Sequence, residues 1–236
     1  MRALVLAGGK GSRLRPYTVT VPKPLVPIGE MPILEILIRQ LRRAGFDRLT
    51  MSVGHLASLI RAYCENGERW GIPIDYVFEE KPLGTIGSLA YLDLPPGENI
   101  LVVNGDTLTD LDFAGAFAAH QPQDALTICA NQRSQLVDFG VLETDARGYL
   151  SAYVEKPQLS YRVSMGINIV SGWVIGRYLT RGERLDLPQL VERLRAAGEG
   201  VRVLDAAAYW LDLGRPEDLE TGSAIFQADP KRFLPE

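Results

Sequence analysis

The 236-residue chain has little with which to build a metal cluster or a crosslink: two cysteines, Cys64 and Cys129, and two histidines, His55 and His120. No CxxC or closely spaced Cys/His set occurs, which excludes a zinc site of the usual local spacing. Two thiols 65 residues apart read as buried and reduced, as in a cytoplasmic protein. No apolar run approaches the roughly 20 residues of a membrane helix, and the apolar stretch within Met1–Leu6 is too short for the core of a secretion signal. Polybasic tracts are absent and the net charge is −4, so neither an anionic membrane nor nucleic acid is an expected partner. Repeats, low-complexity tracts and linkers are absent too. The expectation is a single domain over 1–236, divided into halves at about residue 110.

Acidic residues are missing from one place in particular. Residues 1–29 contain Arg2, Lys10, Arg13, Arg15 and Lys23, and the first carboxylate is Glu30. An acidic chain therefore opens with a segment of charge +5, and the remaining 207 residues carry −9. The basic residues are interleaved with Gly8, Gly9 and Gly11, directly after the strand-like run Ala3-Leu4-Val5-Leu6. Glycines there permit a tight turn, and backbone N–H groups exposed at such a turn bind anions. The combination points to a phosphate-binding loop at a strand end.

The apolar periodicity gives the fold class. Strands are expected at Arg2–Leu6, Arg48–Val53, Ile74–Phe78 and Ile100–Val103. Helices are expected at Pro32–Ala44, His55–Glu65, Thr85–Leu92 and Asp112–His120, the last with Asp112 as N-cap. This alternation implies an α/β fold with a mainly parallel sheet flanked by helices. The later strands, at Ala125–Ala130, Phe139–Leu142, Tyr149–Val154 and Met165–Val170, predict a small antiparallel lobe over one edge. A helix at Pro188–Ala197, short strands at Val201–Leu204 and Tyr209–Leu211, and a helix at Pro216–Phe226 close the chain.

Two common phosphate loops fail on their own terms. A P-loop requires G-x4-G-K-[ST], and here Lys10 precedes Gly11-Ser12. A dinucleotide fingerprint requires G-x-G-x-x-G, and after Gly9 and Gly11 the third position is Leu14. The second strand also ends Val53-Gly54-His55, without the ribose-binding acid.

What remains is Leu6-Ala7-Gly8-Gly9-Lys10-Gly11-Ser12-Arg13-Leu14-Arg15-Pro16-Tyr17-Thr18, followed by Pro22-Lys23-Pro24-Leu25-Val26-Pro27. These two motifs resemble the signature of the sugar-1-phosphate nucleotidyltransferases, or NDP-sugar pyrophosphorylases. The resemblance continues through Pro82-Leu83-Gly84-Thr85, Val103-Asn104-Gly105-Asp106, Val154-Glu155-Lys156-Pro157 and Trp210-Leu211-Asp212-Leu213-Gly214. It spans residues 3 to about 226 and is most similar to the short mannose- and heptose-1-phosphate guanylyltransferases.

The resemblance implies a Rossmann-like mixed sheet and transfer of a nucleotidyl group from an NTP to a sugar 1-phosphate, with Mg²⁺ as cofactor. The attacking phosphate oxygen is already anionic, so positioning and cations rather than a strong base are the requirement. Arg13 would hold the departing phosphates with its planar fork. Lys23 would contact the reacting phosphates, and Lys156 would grip the phosphate of the sugar. The nucleotide-binding set is Leu6, Ala7, Gly8, Gly9, Gly11, Ser12, Arg13, Glu79, Pro82, Gly84, Thr85 and Asp106. Asn104, Gly140, Glu155, Lys156 and Asn168 resemble sugar-phosphate contacts, and Asp106 and Asp212 resemble the metal ligands. Glu79 stands where some relatives place a base-contacting glutamine. A carboxylate only accepts hydrogen bonds, and guanine offers two adjacent donors, so GTP is favoured. The alternatives are a glucose-1-phosphate thymidylyl- or uridylyltransferase and a non-catalytic regulatory relative. A homodimer is left open. No hexapeptide repeat is present, so the β-helix-bearing larger form is not the expected one.

Overall fold

A computed structural model describes residues 1–235. In chain order the first elements are β1 (Arg2–Ala7), β2 (Pro27–Ile28), β3 (Met31–Pro32), α1 (Ile33–Arg43), β4 (Arg48–Val53), α2 (Ala57–Cys64), β5 (Ile74–Phe78) and β6 (Asn99–Asn104). Then come β7 (Thr107–Thr109), α3 (Phe113–Ala118), β8 (Asp124–Leu136), β9 (Val141–Thr144), β10 (Leu150–Val154) and β11 (Gln158–Ser171). The last are α4 (Gly172–Tyr178), α5 (Leu187–Ala196), β12 (Gly200–Asp205), β13 (Trp210–Asp212), α6 (Pro216–Ala228) and α7 (Pro230–Phe233).

Seven strands form one sheet in the order β12-β8-β11-β6-β1-β4-β5. β6, β1, β4 and β5 run parallel, and β11 enters antiparallel to both β6 and β8. The fold is the mixed, mainly parallel sheet that the alternation implied. Period-2 alternation sends successive side chains to opposite faces. Ala3, Val5 and Ala7 of β1 pack with Leu34, Leu37, Ile60 and Phe113 of α1, α2 and α3. Leu4 packs on the other face with Val174, Ile175, Leu190 and Leu194 of α4 and α5. A smaller cluster, including Ile28, Leu213, Phe226 and Phe233, fastens α6 and α7 to the back of α1.

Three segments differ from the expectation. Thr85–Leu92 is not an α-helix; only Gly87–Tyr91 coils, as a 3₁₀ turn. The N–H groups of Ile86 and Gly87 both donate to Leu185 O, at 3.1 and 3.2 Å, which ties the segment to the stretch just before α5. β8 and β11 are far longer than the apolar runs that marked them, since Gln158–Ser164 pair with Ala130–Leu136 beyond the end of the core. Out there neither face is buried, so no hydrophobic alternation marks the strands. α4, where no helix was expected, follows β11 without a break; its Ser171 N-cap sits inside an apolar run that continues the strand pattern.

This topology positions the site. From β1 the chain moves outward to β4 and β5 and then returns to place β6 on the other flank of β1. The crevice outside the carboxyl ends of β1 and β6 is therefore a topological switch point, where open α/β sheets bind ligands. Because β11 runs antiparallel to β6, its Gln158–Ser164 arm rises beyond that same edge. The arm carries the two-stranded antiparallel lobe of β9 and β10.

Candidate active site

The crevice is a cavity of about 410 Å³ lined by Leu6, Ala7, Gly8, Gly9, Gly11, Ser12, Arg13, Lys23, Glu79, Pro82, Gly84, Thr85, Asn104 and Asp106, together with Pro24 and Asp186. The structure thus brings all twelve residues of the sequence-derived nucleotide set to one place, with Lys23 and Asn104 beside them.

The glycines are there because neighbours come close. A Cβ on Gly8 would stand 3.0 Å from Glu79 Oε1 and 3.3 Å from Gly54 N. Gly11 has φ of 57°, the left-handed region, and opens the 3₁₀ turn Ser12–Leu14. Leu14 is fully buried and anchors that turn, which leaves Arg13 on its outer side with its side chain 63% exposed. Lys23 is held differently. It lies between Pro22 and Pro24 at the start of a 3₁₀ turn, and only 10% of its side chain is exposed.

The charged groups then converge. Lys23 Nζ pairs with Asp106 Oδ2 and lies 3.4 Å from Asp212 Oδ1. Arg13 lies 3.8 Å from Asp212 Oδ2. Strand pairing explains why two aspartates 106 positions apart meet. β13 pairs antiparallel with β7, opposing Asp212 to Thr107, and Leu213 N donates to Asp106 O at 3.3 Å. Asp106 itself is set by Gly105, whose N–H donates to Leu6 O at 2.9 Å and whose missing Cβ allows the close approach to β1. The Arg13 guanidinium also lies against Gly214, where a Cβ would stand 3.1 Å from both terminal nitrogens. The first and last motifs of the chain are thereby in contact.

Two hard-oxygen carboxylates already share one cation, the Lys23 ammonium, so their placement fits a divalent ion bound by oxygen. Among the described residues no group of three or more His, Cys, Asp or Glu side chains forms a complete protein cage. An ion held there would take its remaining ligands from water and phosphate oxygens, which is how Mg²⁺ is commonly held.

Glu79 lines the crevice from the end of β5. Its N–H donates to Val53 O, while Oε1 accepts from Ser52 Oγ at 2.6 Å and Oε2 from Leu83 N at 3.0 Å. The carboxylate thus organises its own loop as well as facing the cavity. Each oxygen retains a further lone pair for a ligand.

The remaining sequence-derived residues lie apart from this cavity. Gly140, Glu155 and Lys156 group on the lobe. Tyr153 Oη donates to Glu155 Oε2 at 3.2 Å and sits where a Cβ on Gly140 would be. Lys156 has φ of 46°; its N–H donates to Phe139 O and its Nζ lies 3.3 Å from Asp138 Oδ1. Asn168 is inside β11 opposite Val102, 4% exposed, with its Oδ1 unpartnered. Asn104 links the two regions, since its side chain packs on Gly166, whose φ of 70° occupies an irregular stretch of β11.

Other sequence readings have plain structural places. Asp112 is the N-cap of α3, its Oδ1 accepting from Gly115 N at 3.0 Å, and Asp110 pairs with Arg232. Lys10 and Arg15 are exposed. Cys64 and Cys129 are free and buried, and burial pushes their thiols up to about 12 and about 11. No helix among the described residues is long and apolar enough to cross a membrane. Sequence reasoning missed Asp186 and Ser52, and gave no role to Pro24 and Gly214 although both stand in the quoted motifs. Asp186 was legible as a helix cap, but nothing local pairs it with Thr85.

Comparison with known proteins agrees with this geometry. A family model described as nucleotidyl transferase matches residues 2–228. The chain is 35% identical over 238 residues to a UTP–glucose-1-phosphate uridylyltransferase of Synechocystis, covering 92% of this chain and 61% of the relative. It is 31% identical over 245 residues to the catalytic subunit beta of mannose-1-phosphate guanylyltransferase of Xenopus tropicalis, covering 100% of this chain and 67% of that protein. The chain therefore spans about two thirds of the length of these relatives, or somewhat less. Among solved structures, HddC from Yersinia pseudotuberculosis complexed with GMP-PN superimposes with a TM-score of 0.72 at 25% identity, covering 95% of this chain and 99% of that one. With the family model covering nearly the whole chain and the motif residues gathered around one crevice, the chain belongs to the nucleotidyl transferase family, among the sugar-1-phosphate nucleotidyltransferases.

Proposed function

We propose that the chain transfers a nucleotidyl group from an NTP to a sugar 1-phosphate, releasing pyrophosphate, and that it requires Mg²⁺. One observation carries this reading: Arg13, Lys23, Asp106 and Asp212, from four separated segments, meet at the mouth of a glycine-lined crevice.

The task is to bring two polyanions together and to stabilise charge on the one that leaves. Backbone N–H groups of the Gly8–Ser12 loop bind phosphate oxygens at the strand end. Arg13, exposed on its turn, holds the departing phosphates with a bidentate fork. Lys23, nearly buried and fixed between two prolines, donates to the phosphate under attack, where a preorganised charge is worth most. Asp106 and Asp212 would hold a Mg²⁺ ion, which would supply neutralisation of phosphate charge. Lys156 and Glu155 bind the phosphate and hydroxyls of the sugar from the lobe, which stands on the crevice side of the sheet. No side chain needs to act as nucleophile or strong base.

GTP with mannose- or heptose-1-phosphate is the substrate pair we favour. The acceptor-only edge of Glu79 suits the paired donors of guanine. The Xenopus guanylyltransferase and the GMP-PN complex of HddC support the same choice.

The test is to incubate the protein with Mg²⁺, each of five NTPs and a panel of sugar 1-phosphates, and to follow pyrophosphate. Release with GTP and mannose- or heptose-1-phosphate is expected, abolished by EDTA. Preference for UTP or dTTP overturns the base assignment and leaves the reaction class. No pyrophosphate from any pair overturns the function and favours a regulatory relative.

A further inference from the structure

Asp186 lines the nucleotide crevice although it comes from a part of the chain about 100 residues beyond the base loop. It is the N-cap of α5, where Gln189 Oε1 accepts from its backbone N–H at 2.9 Å. Its Oδ1 also accepts from Thr85 N at 3.1 Å. In return, Thr85 Oγ1 accepts from Leu187 N at 2.8 Å. Leu187 is the first residue of α5, so its N–H is one of the donors that a helix start leaves without an internal partner. The loop satisfies a donor of the helix, and the helix cap satisfies a donor of the loop.

Backbone contacts reinforce the pairing. Leu185 N donates to Leu83 O at 2.9 Å, and Leu185 O accepts from Ile86 and Gly87. Gly84 has φ of 80°, and a Cβ there would stand 2.5 Å from Leu185 O and 2.8 Å from Asp186 Oδ1. From the opposite side, Glu79 holds Leu83 N. The loop from Pro82 to Thr85 is thus clamped at two amides by two carboxylates, Glu79 from the end of β5 and Asp186 from α5.

We infer that Asp186 is a positioning residue for the nucleobase: acting through Thr85, it fixes the loop that meets the base and so sets NTP affinity and base selectivity. This inference rests on the proposed nucleotidyl-transfer reading. Asp186 does no chemistry on the phosphates. Its action is to remove the loop's freedom before the nucleotide arrives, so that binding does not incur the ordering cost. Because the hydrogen bonds are reciprocal, nucleotide binding also steadies the first turn of α5.

Three variants separate this role from helix capping. Asp186→Ala removes the acceptor for Thr85 and the cap together. Asp186→Asn keeps an oxygen that accepts from Thr85. Gln189→Ala breaks only the other half of the capping box. NTP binding is measured by titration calorimetry with Mg²⁺, using GTP and then UTP as probes. Asp186→Ala is expected to weaken the preferred nucleotide about tenfold, the scale of one lost hydrogen bond to a charged acceptor, and to narrow the GTP-to-UTP ratio. Asp186→Asn recovers most of that loss. Gln189→Ala lowers the melting temperature with unchanged nucleotide affinity. In turnover assays Asp186→Ala raises KM for the NTP while KM for the sugar 1-phosphate stays constant. Hydrogen exchange at the Leu187 amide slows on adding GTP to the unmodified protein.

If Asp186→Ala binds both nucleotides as the unmodified protein does, or if Gln189→Ala weakens them equally, the inference falls and the function stands. If the unmodified protein binds neither nucleotide, the functional reading falls and takes this inference with it.

Discussion

Replacing Lys23 by glutamine removes the cation that sits between Asp106 and Asp212. At the 3.4 Å separation from Asp212, and with an effective dielectric near 20, each such pair has a Coulomb energy of about 5 kcal/mol. Desolvation of the nearly buried ammonium and exposure of the carboxylates offset most of it, leaving about 1–2 kcal/mol net. A divalent ion held by both carboxylates would have to displace Lys23 from between them. Lys23→Gln lifts that competition, which tightens Mg²⁺ on its own by about tenfold or somewhat more, at 1.4 kcal/mol per decade. If the dissociation constant moves from about 10 mM to about 1 mM, stabilisation by about 10 mM Mg²⁺ rises from about 0.4 to about 1.4 kcal/mol. For a chain of this size, that extra kcal/mol is worth about 2–4 °C in melting temperature.

The assay is thermal unfolding of both proteins with EDTA and with Mg²⁺, without nucleotide. Lys23→Gln should melt lower in EDTA, because two facing carboxylates lose their shared partner, and should respond more strongly to Mg²⁺. Its turnover should nevertheless fall by at least about 100-fold, the scale of one lost preorganised contact. An equal Mg²⁺ increment in both proteins, or a larger one in the unmodified protein, refutes the view that Lys23 and the metal occupy overlapping positions.

Three further outcomes follow from particular contacts. Arg13→Lys should lose at least about tenfold in kcat/KM, because lysine has no fork and cannot lie flat on Gly214; full activity in the pyrophosphate assay would mean that charge alone suffices. Gly11→Ala should cost about 1–2 kcal/mol in denaturant unfolding for its left-handed φ, and should also raise KM for the NTP, since the added Cβ would meet Thr18 and Lys23 at 2.9 and 3.1 Å. His120 is buried among Thr127 Oγ1 and Ser171 Oγ, and burial holds its pKa below the ordinary imidazole value. The unfolded chain therefore takes up this proton first, and stability should decline as pH falls below about 6.5, the unfolded value. Melting curves from pH 7.5 to 5.5 should show a shallower decline in His120→Gln, and parallel curves would exclude His120 as the cause.

The parts of the molecule that were legible in the sequence are those with a local cause. The Gly8–Ser12 loop stands at the end of an apolar strand run inside the +5 segment of residues 1–29, so its place at a strand end was readable. The alternation from β1 to β6 was readable because the strands are short continuous apolar runs buried on both faces, while the helices between them bury one stripe with their own period. The lobe was harder. The outer arms of β8 and β11 bury neither face and left no pattern to read. The Thr85–Leu92 segment carried a helical pattern, yet only Gly87–Tyr91 coils, as a 3₁₀ turn held at its start by Leu185 O, a contact that no local pattern announces.

The sequence by itself determined the fold class, the anion loop and the family, because these rest on local backbone freedom, hydrophobic period and motif order. Tertiary structure alone decided which distant groups meet. Asp212 stands beside Asp106 through the β7–β13 register, Gly214 lies under Arg13, and Asp186 holds Thr85. Each partner is about 100 or more residues from the other, and each contact is fixed by strand order and helix placement. The physical reason is that a side chain's type is written locally, while its neighbour is set by how the sheet is wound.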